Sequence, residues 1–207
     1  MHKLHLAFMG LLFIGLCSFG FWTANDAPPV DKVLYQRYLE KFKTVKLPLL
    51  ADSKYLSTNA NARPELSSEF KTFIPSLARG YMSRMGPDEF NADAMIAKSK
   101  HFNAVLYVQT PSYGDNQSLI LSTIDIDGNV IAQQTIAYQY DAQSYQTAVI
   151  NPDLSIEAKT YEDAVTETAK YQINADGSIS KDGKSVGRMT EAAIDVLYNL
   201  ENNMDSF

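Results

Sequence analysis

Residues 119–132 read Leu-Ile-Leu-Ser-Thr-Ile-Asp-Ile-Asp-Gly-Asn-Val-Ile-Ala. Two apolar runs rich in branched side chains flank the pair Asp127-Gly128. An Asp-Gly pair in this setting is a strong short-range signal for a β-hairpin, because glycine supplies positive φ and aspartate tolerates turn dihedrals. The stretch therefore predicts two antiparallel strands joined by a tight turn.

The same turn pattern occurs twice more along the chain. Residues 124–130, 150–156 and 173–179 share the order apolar, Asp or Asn, any, Asp, Gly or Leu, any, Val or Ile. Their spacing leaves room for two strands and two turns between successive copies. We therefore predict an antiparallel meander of six to seven strands in an α+β fold. The predicted strands are 103–109, 117–126, 129–138, 145–150, 154–160 and 165–173, with a short strand near 178–180.

Apolar residues at helical spacing predict helices on either side of this sheet. The segments are 32–45, capped by Asp31; a helix beginning at Pro64 and ended by Pro75; a short helix over 90–98; and a C-terminal helix over 190–202. Leu119–Leu121 and Val130–Ala132 are apolar on both faces, which predicts that helices cover part of the sheet.

The first twenty residues have the layout of a secretory signal peptide. Lys3 precedes the uncharged run Leu6–Trp22, and small residues at Ser18 and Gly20 favour cleavage after Gly20. The alternatives are an uncleaved membrane anchor and a lipoprotein at Cys17, although Leu16 is a poor match to a lipobox. The mature chain is then one domain, 21–207, with a mainly helical part (21–100), an antiparallel sheet (101–188) and the C-terminal helix (189–207). The expected location is the periplasm or cell surface of a Gram-negative bacterium.

Composition restricts the chemistry. The net charge is −6 with no basic block, so we expect no nucleic-acid partner. Cys17 and two of the three histidines lie in the predicted signal, which leaves His101 alone. Such an inventory cannot build a thiolate–histidine pair or a histidine-rich zinc site, and there is no Gly-x-Ser-x-Gly turn. We predict no cofactor, no metal and no catalytic residues.

Several segments together resemble a known group. The export signal, residues 42–48, the hairpin strand 121–131, and the segments 151–156 and 171–177 are similar to uncharacterised exported proteins of Bacteroidota-type bacteria. The resemblance implies a periplasmic or surface location and a β-rich fold. It implies no activity.

Three kinds of function are open to such a chain. A carboxylate-based hydrolase would use Glu157, Glu162, Asp163 or Glu167, but strand parity places Glu157 and Glu167 on opposite faces. A calcium site at Asp125-x-Asp127 lacks the closing Glu of an EF-hand loop. A non-catalytic binding or interaction module in the envelope is the prediction that remains, with an envelope protein, a peptide or a glycan as partner.

The meander also predicts where such a module would bind. Its Asp-rich turns share one end of the sheet, and the longer connections 110–116, 139–144 and 161–164 share the other. The latter bring tyrosines together with acidic residues, and tyrosine suits recognition because it offers a large contact area with few torsions to freeze. The predicted ligand or partner surface is Tyr113, Tyr140, Tyr145 and Tyr161, near Asp115, Asp141, Glu162 and Asp163.

Overall fold

Eleven strands form one sheet in this computed structural model, which describes residues 30–58, 62–75, 82–83, 86–112, 116–162 and 165–186. The sheet strands are β1 (Lys43–Thr44), β2 (Leu49–Ala51), β5 (Glu89–Lys98), β6 (Phe102–Thr110), β7 (Gln117–Asp125), β8 (Val130–Gln139), β9 (Ser144–Ile150), β10 (Ser155–Glu162), β11 (Val165–Ile173), β12 (Ile179–Lys181) and β13 (Lys184–Val186). Ten of them follow one another in the order β1-β5-β6-β7-β8-β9-β10-β11-β12-β13, and β2 pairs with β9 outside that path. A separate pair joins β3 (Met82–Ser83) to β4 (Gly86–Pro87).

The α+β class is confirmed, but the sheet is larger and less regular than a clean meander of six to seven strands. The seven predicted strands correspond to β6–β12, which pair consecutively and antiparallel. Strand β5 extends the sheet on one side, and β1 pairs with β5 in parallel, so the sheet is mixed.

The helices are shorter than predicted. Helix α1 (Lys32–Leu39) begins at the Asp31 cap, whose carboxylate accepts hydrogen bonds from the N–H groups of Val33 and Leu34. It ends six residues before the predicted boundary at 45, because Lys43–Thr44 pairs with β5 instead. Helix α2 (Ser53–Thr58) was not predicted.

Two further helix predictions are wrong. Within residues 64–74, all of which the structure describes, only a 3-10 turn forms, at Ser68–Phe70, because the N–H of Leu66 and the carbonyl of Pro64 bond to β5. Residues 90–98 belong to strand β5. The predicted signal segment 1–20 and the predicted helix over 190–202 lie outside the described residues.

Two buried clusters cover the central strands from opposite sides. The helix-side core lies between β5–β7 and the segments around α1 and residues 66–74; its largest members are Tyr35, Tyr38, Phe70, Phe73, Ile74 and Tyr107. The inner core lies between β5–β8 and the second half of the same sheet; it includes Leu56, Phe102, Leu106, Leu121, Ile136, Ile150, Ile156 and Ile179. The cover predicted for the hairpin therefore comes from α1 and residues 66–74 on one side, and from the sheet itself with Leu56 of α2 on the other.

The sheet can fold over because β8 and β9 separate after only two paired positions. Tyr138 opposes Gln146 and Gln139 opposes Tyr145, and beyond them β2 takes the place of β8 beside β9. Helix α2 follows β2, and its Leu56 is buried in the inner core. The β2–α2 segment thus fills the gap that opens between β8 and β9.

A buried ion pair ties α2 to β5. Arg63 Nε lies 2.6 Å from Asp93 Oδ1, and both side chains are more than nine-tenths buried. The same guanidinium donates to the carbonyls of Leu56 and Tyr55, while the Tyr55 hydroxyl donates to Asp93 Oδ2 at 2.5 Å. Each polar group of the pair therefore has a partner, which a buried charge requires.

The three repeated turns share one end of the sheet, as predicted, and each has its fifth residue at positive φ. Gly128, Leu154 and Gly177 have φ values of 94°, 64° and 85°. At Gly177 an added Cβ would lie 2.6 Å from Ile131 Cδ1 and 3.0 Å from Phe102 Cγ, so this turn packs closely against β6 and β8.

We expect Gly177→Ala to destabilise the protein more than Gly183→Ala. Gly183 has a φ of 77° with nothing within 4 Å of an added Cβ, so alanine there costs only backbone strain, about 1–2 kcal/mol. Alanine at Gly177 adds a collision with Ile131 and Phe102, for a total loss of about 2–4 kcal/mol. Equilibrium urea unfolding of the full chain measures both losses. Equal losses of unfolding free energy in the two variants would contradict the close packing of the Gly177 turn against β6 and β8.

We expect Arg63→Ala to lower the free energy of unfolding by about 3–5 kcal/mol, because it leaves the Asp93 carboxylate buried without its counter-charge. The matched control is Arg37→Ala, since Arg37 makes a 3.0 Å ion pair with Glu69 in which both side chains are over a third exposed. Exposed pairs contribute about 0–1 kcal/mol. A loss at Arg63 no larger than the loss at Arg37 would refute the structural role of the buried pair.

Candidate functional site

Two stacked tyrosine pairs lie where β8, β9 and β10 meet, and we call this region the tyrosine end. The rings of Tyr145 and Tyr161 are 4.6 Å apart at their centroids with planes 16° from parallel. The rings of Tyr138 and Tyr140 are also 4.6 Å apart, at 23°. Tyr145 and Tyr161 stack because they are direct cross-strand partners on β9 and β10.

The two pairs occupy opposite faces of the sheet. Tyr138 opposes Gln146, whereas Tyr145, the preceding residue on β9, opposes Gln139. Successive residues of a strand point to opposite faces, so Tyr138 and Tyr145 point apart. The β8–β9 connection holds this geometry, since the Asp141 carboxylate accepts hydrogen bonds from the N–H groups of Gln143 and Ser144.

A hydrogen-bond network fixes Tyr138. Its hydroxyl donates to Glu162 Oε1 at 3.1 Å. Beside it Thr160 donates to Gln146 Oε1 at 2.8 Å, and Gln146 Nε2 donates to the carbonyl of Ile136 at 2.7 Å. Burial, followed by the hydrogen bond and negative charge of Glu162, raises the pKa of Tyr138 to about 12. The phenol therefore keeps its proton at neutral pH and is a donor, not a base.

The opposite face of β9 and β10 carries exposed apolar side chains. Leu50 on β2 opposes Val149 on β9, and these two side chains are 55% and 37% exposed. Val149 has the same strand parity as Tyr145, so both lie on one face. We call the set Leu50, Tyr145, Val149 and Tyr161 the open face. Glu157 and Lys159 lie on the same face and form a 3.4 Å ion pair, in which Glu157 opposes Val149 and Lys159 lies between Glu157 and Tyr161 on β10.

The predicted surface residues are therefore distributed over both faces. Tyr145 and Tyr161 lie together on the open face, while Tyr140, half exposed, stacks on Tyr138 on the other side. Tyr113 lies outside the described residues, as do Asp115 and Asp163. Sequence reasoning missed Tyr138, although its spacing of two from Tyr140 was a signal. It also missed Leu50 and Val149.

Of the candidate catalytic carboxylates, Glu162 and Glu167 are exposed, Glu157 is partly buried, and Asp163 lies outside the described residues. Glu157 opposes Lys170 and Glu167 opposes Thr160, which confirms that these two glutamates lie on opposite faces. Glu162 and Glu167 share a face as diagonal neighbours on β10 and β11. Among the residues that the structure describes, no three His, Cys, Asp or Glu side chains are grouped so as to hold a metal ion.

The Asp-rich end of the sheet uses its polar groups within its own turns. Asp125 accepts hydrogen bonds from the N–H groups of Asp127 and Asn129 and from the Asn129 side chain. Hydrogen bonds from Ser155 and Ser178 lower the pKa values of Asp153 and Asp176 below the ordinary range. A shallow open depression of about 540 Å³ at this end is lined by His101, Asp125, Ile131, Ala175 and Asp176.

We expect Glu162→Gln to lower the pKa of Tyr138 from about 12 towards the ordinary value of 10.0, because it removes the negative charge that favours the protonated phenol. Burial keeps the value above 10.0. Site-resolved NMR titration of the tyrosine Cζ signals measures the shift. Glu157→Gln, on the other face, is the matched control and should leave Tyr138 unchanged. An unchanged pKa in Glu162→Gln would contradict the hydrogen bond.

No helix among the described residues is long and apolar enough to cross a membrane. Comparison of the chain with protein-family models, with curated proteins and with solved structures finds no match.

Proposed function

We propose that this chain is an exported, non-catalytic binding module of the bacterial envelope, and that its partner binds on the open face. The observation that carries the proposal is the stacked pair Tyr145–Tyr161 on the same face as the exposed pair Leu50–Val149. Apolar and aromatic side chains exposed together on one face, among polar residues, are typical of interaction sites.

The chemistry of the open face favours a partner with a flat or extended apolar surface. Two parallel phenol rings offer a rigid apolar platform with hydroxyl groups at its edge. The Glu157–Lys159 pair supplies polar groups of both signs beside it. A sugar ring with its C–H face on the tyrosines, or an extended peptide along β9, would fit this arrangement. Residues 1–20, with the layout of a signal peptide, support an envelope location.

The site is rigid enough for recognition without reorganisation. Tyr145 and Val149 belong to a strand that is paired with β10 along its whole length and with β8 or β2 on its other edge. A preorganised platform loses little conformational entropy on binding, which favours affinity.

The test is a binding screen of the full mature chain against two probe sets, bacterial oligosaccharides on an array and a library of extended peptides. For a ligand found in either set, we expect Tyr145→Ala and Leu50→Ala each to weaken binding at least about tenfold, the size of a central contact. The matched control is Val33→Ala, because Val33 is 70% exposed on α1, away from the open face. Binding that survives both open-face substitutions would refute the proposed site.

A carboxylate-based hydrolase is the second candidate, favoured by the shared face of Glu162 and Glu167. A pair of carboxyl groups is what glycosidic bond cleavage requires. Hydrolysis of the oligosaccharide probes that is lost in both Glu162→Gln and Glu167→Gln would favour this candidate over the binding module.

A further inference from the structure

The phenol rings of Tyr145 and Tyr161 are placed for a covalent reaction with each other. Their centroids are 4.6 Å apart, and their planes lie 16° from parallel. The two residues are direct partners in the antiparallel register of β9 and β10, so the backbone holds the rings side by side. Both residues are partly exposed, so a small oxidant in solvent can reach the rings.

Two phenols in this arrangement can be joined by oxidative coupling. Each phenol gives up one electron and one proton, which leaves a phenoxyl radical whose unpaired electron is shared with the ring carbons next to the hydroxyl-bearing carbon. A carbon–carbon bond forms between one such carbon of each ring. The hydrogen on each bonded carbon then moves to the phenolic oxygen as a proton, so both rings are phenols again and the product is dityrosine.

The coupling needs an acceptor for two electrons, and hydrogen peroxide acting through a peroxidase supplies it. The peroxide takes up the two electrons and the two protons and leaves as two molecules of water. The two rings are oxidised and the peroxide is reduced, so the reaction is balanced without any further group of the protein.

The sequence cannot supply a disulfide for the same purpose. In the oxidising compartments where exported proteins reside, disulfides commonly join separate parts of a chain. Cys17 is the single cysteine among the 207 residues, so no disulfide can form within them. A covalent bond between two strands of this sheet must therefore use other side chains.

A bond between β9 and β10 would act beside the gap that separates β8 from β9. Strand β9 pairs with β8 at two positions and with β2 at three, whereas β10 pairs with it along its whole length. Tyr145 is itself one of the two residues of β9 that oppose β8. A cross-link from Tyr145 to Tyr161 would therefore fix β9 to its fully paired neighbour at the point where the sheet divides.

We propose that Tyr145 and Tyr161 form an oxidative cross-linking site, at which a one-electron oxidant joins β9 to β10 through dityrosine. The cross-link needs no partner on the open face, so its formation is independent of the proposed binding function.

The first test treats the full mature chain with hydrogen peroxide and a peroxidase, at a protein concentration low enough to disfavour coupling between molecules. Trypsin cleaves after lysine and arginine, so it leaves Tyr145 in the fragment 101–159 and Tyr161 in the fragment 160–170. We expect mass spectrometry of the treated monomer to find these two fragments joined with the loss of two hydrogen atoms. Oxidation that yields only dimers, or that leaves the two fragments separate, would overturn the proposal.

The second test uses Tyr145→Phe and Tyr161→Phe, which keep an aromatic ring in the stack but remove the phenol that must be oxidised. We expect either change to abolish the joined pair of fragments. The matched control is Tyr140→Phe, because Tyr140 is half exposed and belongs to the other stacked pair, and this change should leave the joined fragments in place. Joined fragments that survive Tyr145→Phe would show that Tyr161 couples elsewhere, which would overturn the assignment.

The third test measures the stability of the cross-linked monomer. In the chain-entropy account of disulfides, a covalent bond that closes a loop of about fifteen residues raises the folding equilibrium constant roughly a hundredfold. We expect the cross-linked monomer to unfold at a higher urea concentration than the untreated chain. Treated and untreated Tyr145→Phe should unfold at the same concentration, which controls for other oxidation products. An unchanged urea midpoint in the cross-linked monomer would overturn the role of the bond in holding β9.

Discussion

Strand β6 is buried on both faces from Phe102 to Val108, and the rest of the fold follows from the need to cover it twice. Each large apolar side chain removed from water contributes about 1.5–3 kcal/mol, so neither face can be left open. On one face α1 and residues 66–74 supply aromatic side chains. On the other, the second half of the sheet folds back, which is allowed by the separation of β8 and β9 after two paired positions. The β2–α2 segment fills the gap between β8 and β9.

The strands after Phe102 could be predicted from sequence because alternation and Asp-Gly turns are local signals. Strand β5 could not, since two register shifts, between Ala92 and Ala94 and between Met95 and Ala97, interrupt its alternation. The residues after Pro64 show the reverse error. Leu66, Phe70, Phe73 and Ile74 are buried as predicted, but Leu66 reaches the core from an extended segment bonded to β5. Helical spacing there identified the core residues correctly but predicted the wrong backbone conformation.

The candidate site, like the fold, could be predicted only where local sequence patterns determine it. Alternation along β9 and β10 places Tyr145 and Tyr161 near one end, but their stacking depends on a cross-strand register that no local pattern contains. The exposed pair Leu50–Val149 exists only because β2 is inserted beside β9. The Arg63–Asp93 pair joins residues from a loop and a bulged strand, and such a tertiary contact leaves no periodic signal.

The polar groups at the two ends of the sheet stabilise different parts of the structure. At the Asp-rich end the carboxylates accept hydrogen bonds from their own turns, and they thereby fix the hairpins on which the folded-over halves depend. At the tyrosine end the Glu162–Tyr138 bond and the Gln146 network lock one face. The other face keeps parallel rings and exposed apolar side chains on β9, which is paired with β10 along its whole length. Binding on this face would break no hydrogen bond of the fold. The proposed binding surface and the hydrogen bonds that stabilise the hairpin therefore lie on opposite faces of the sheet.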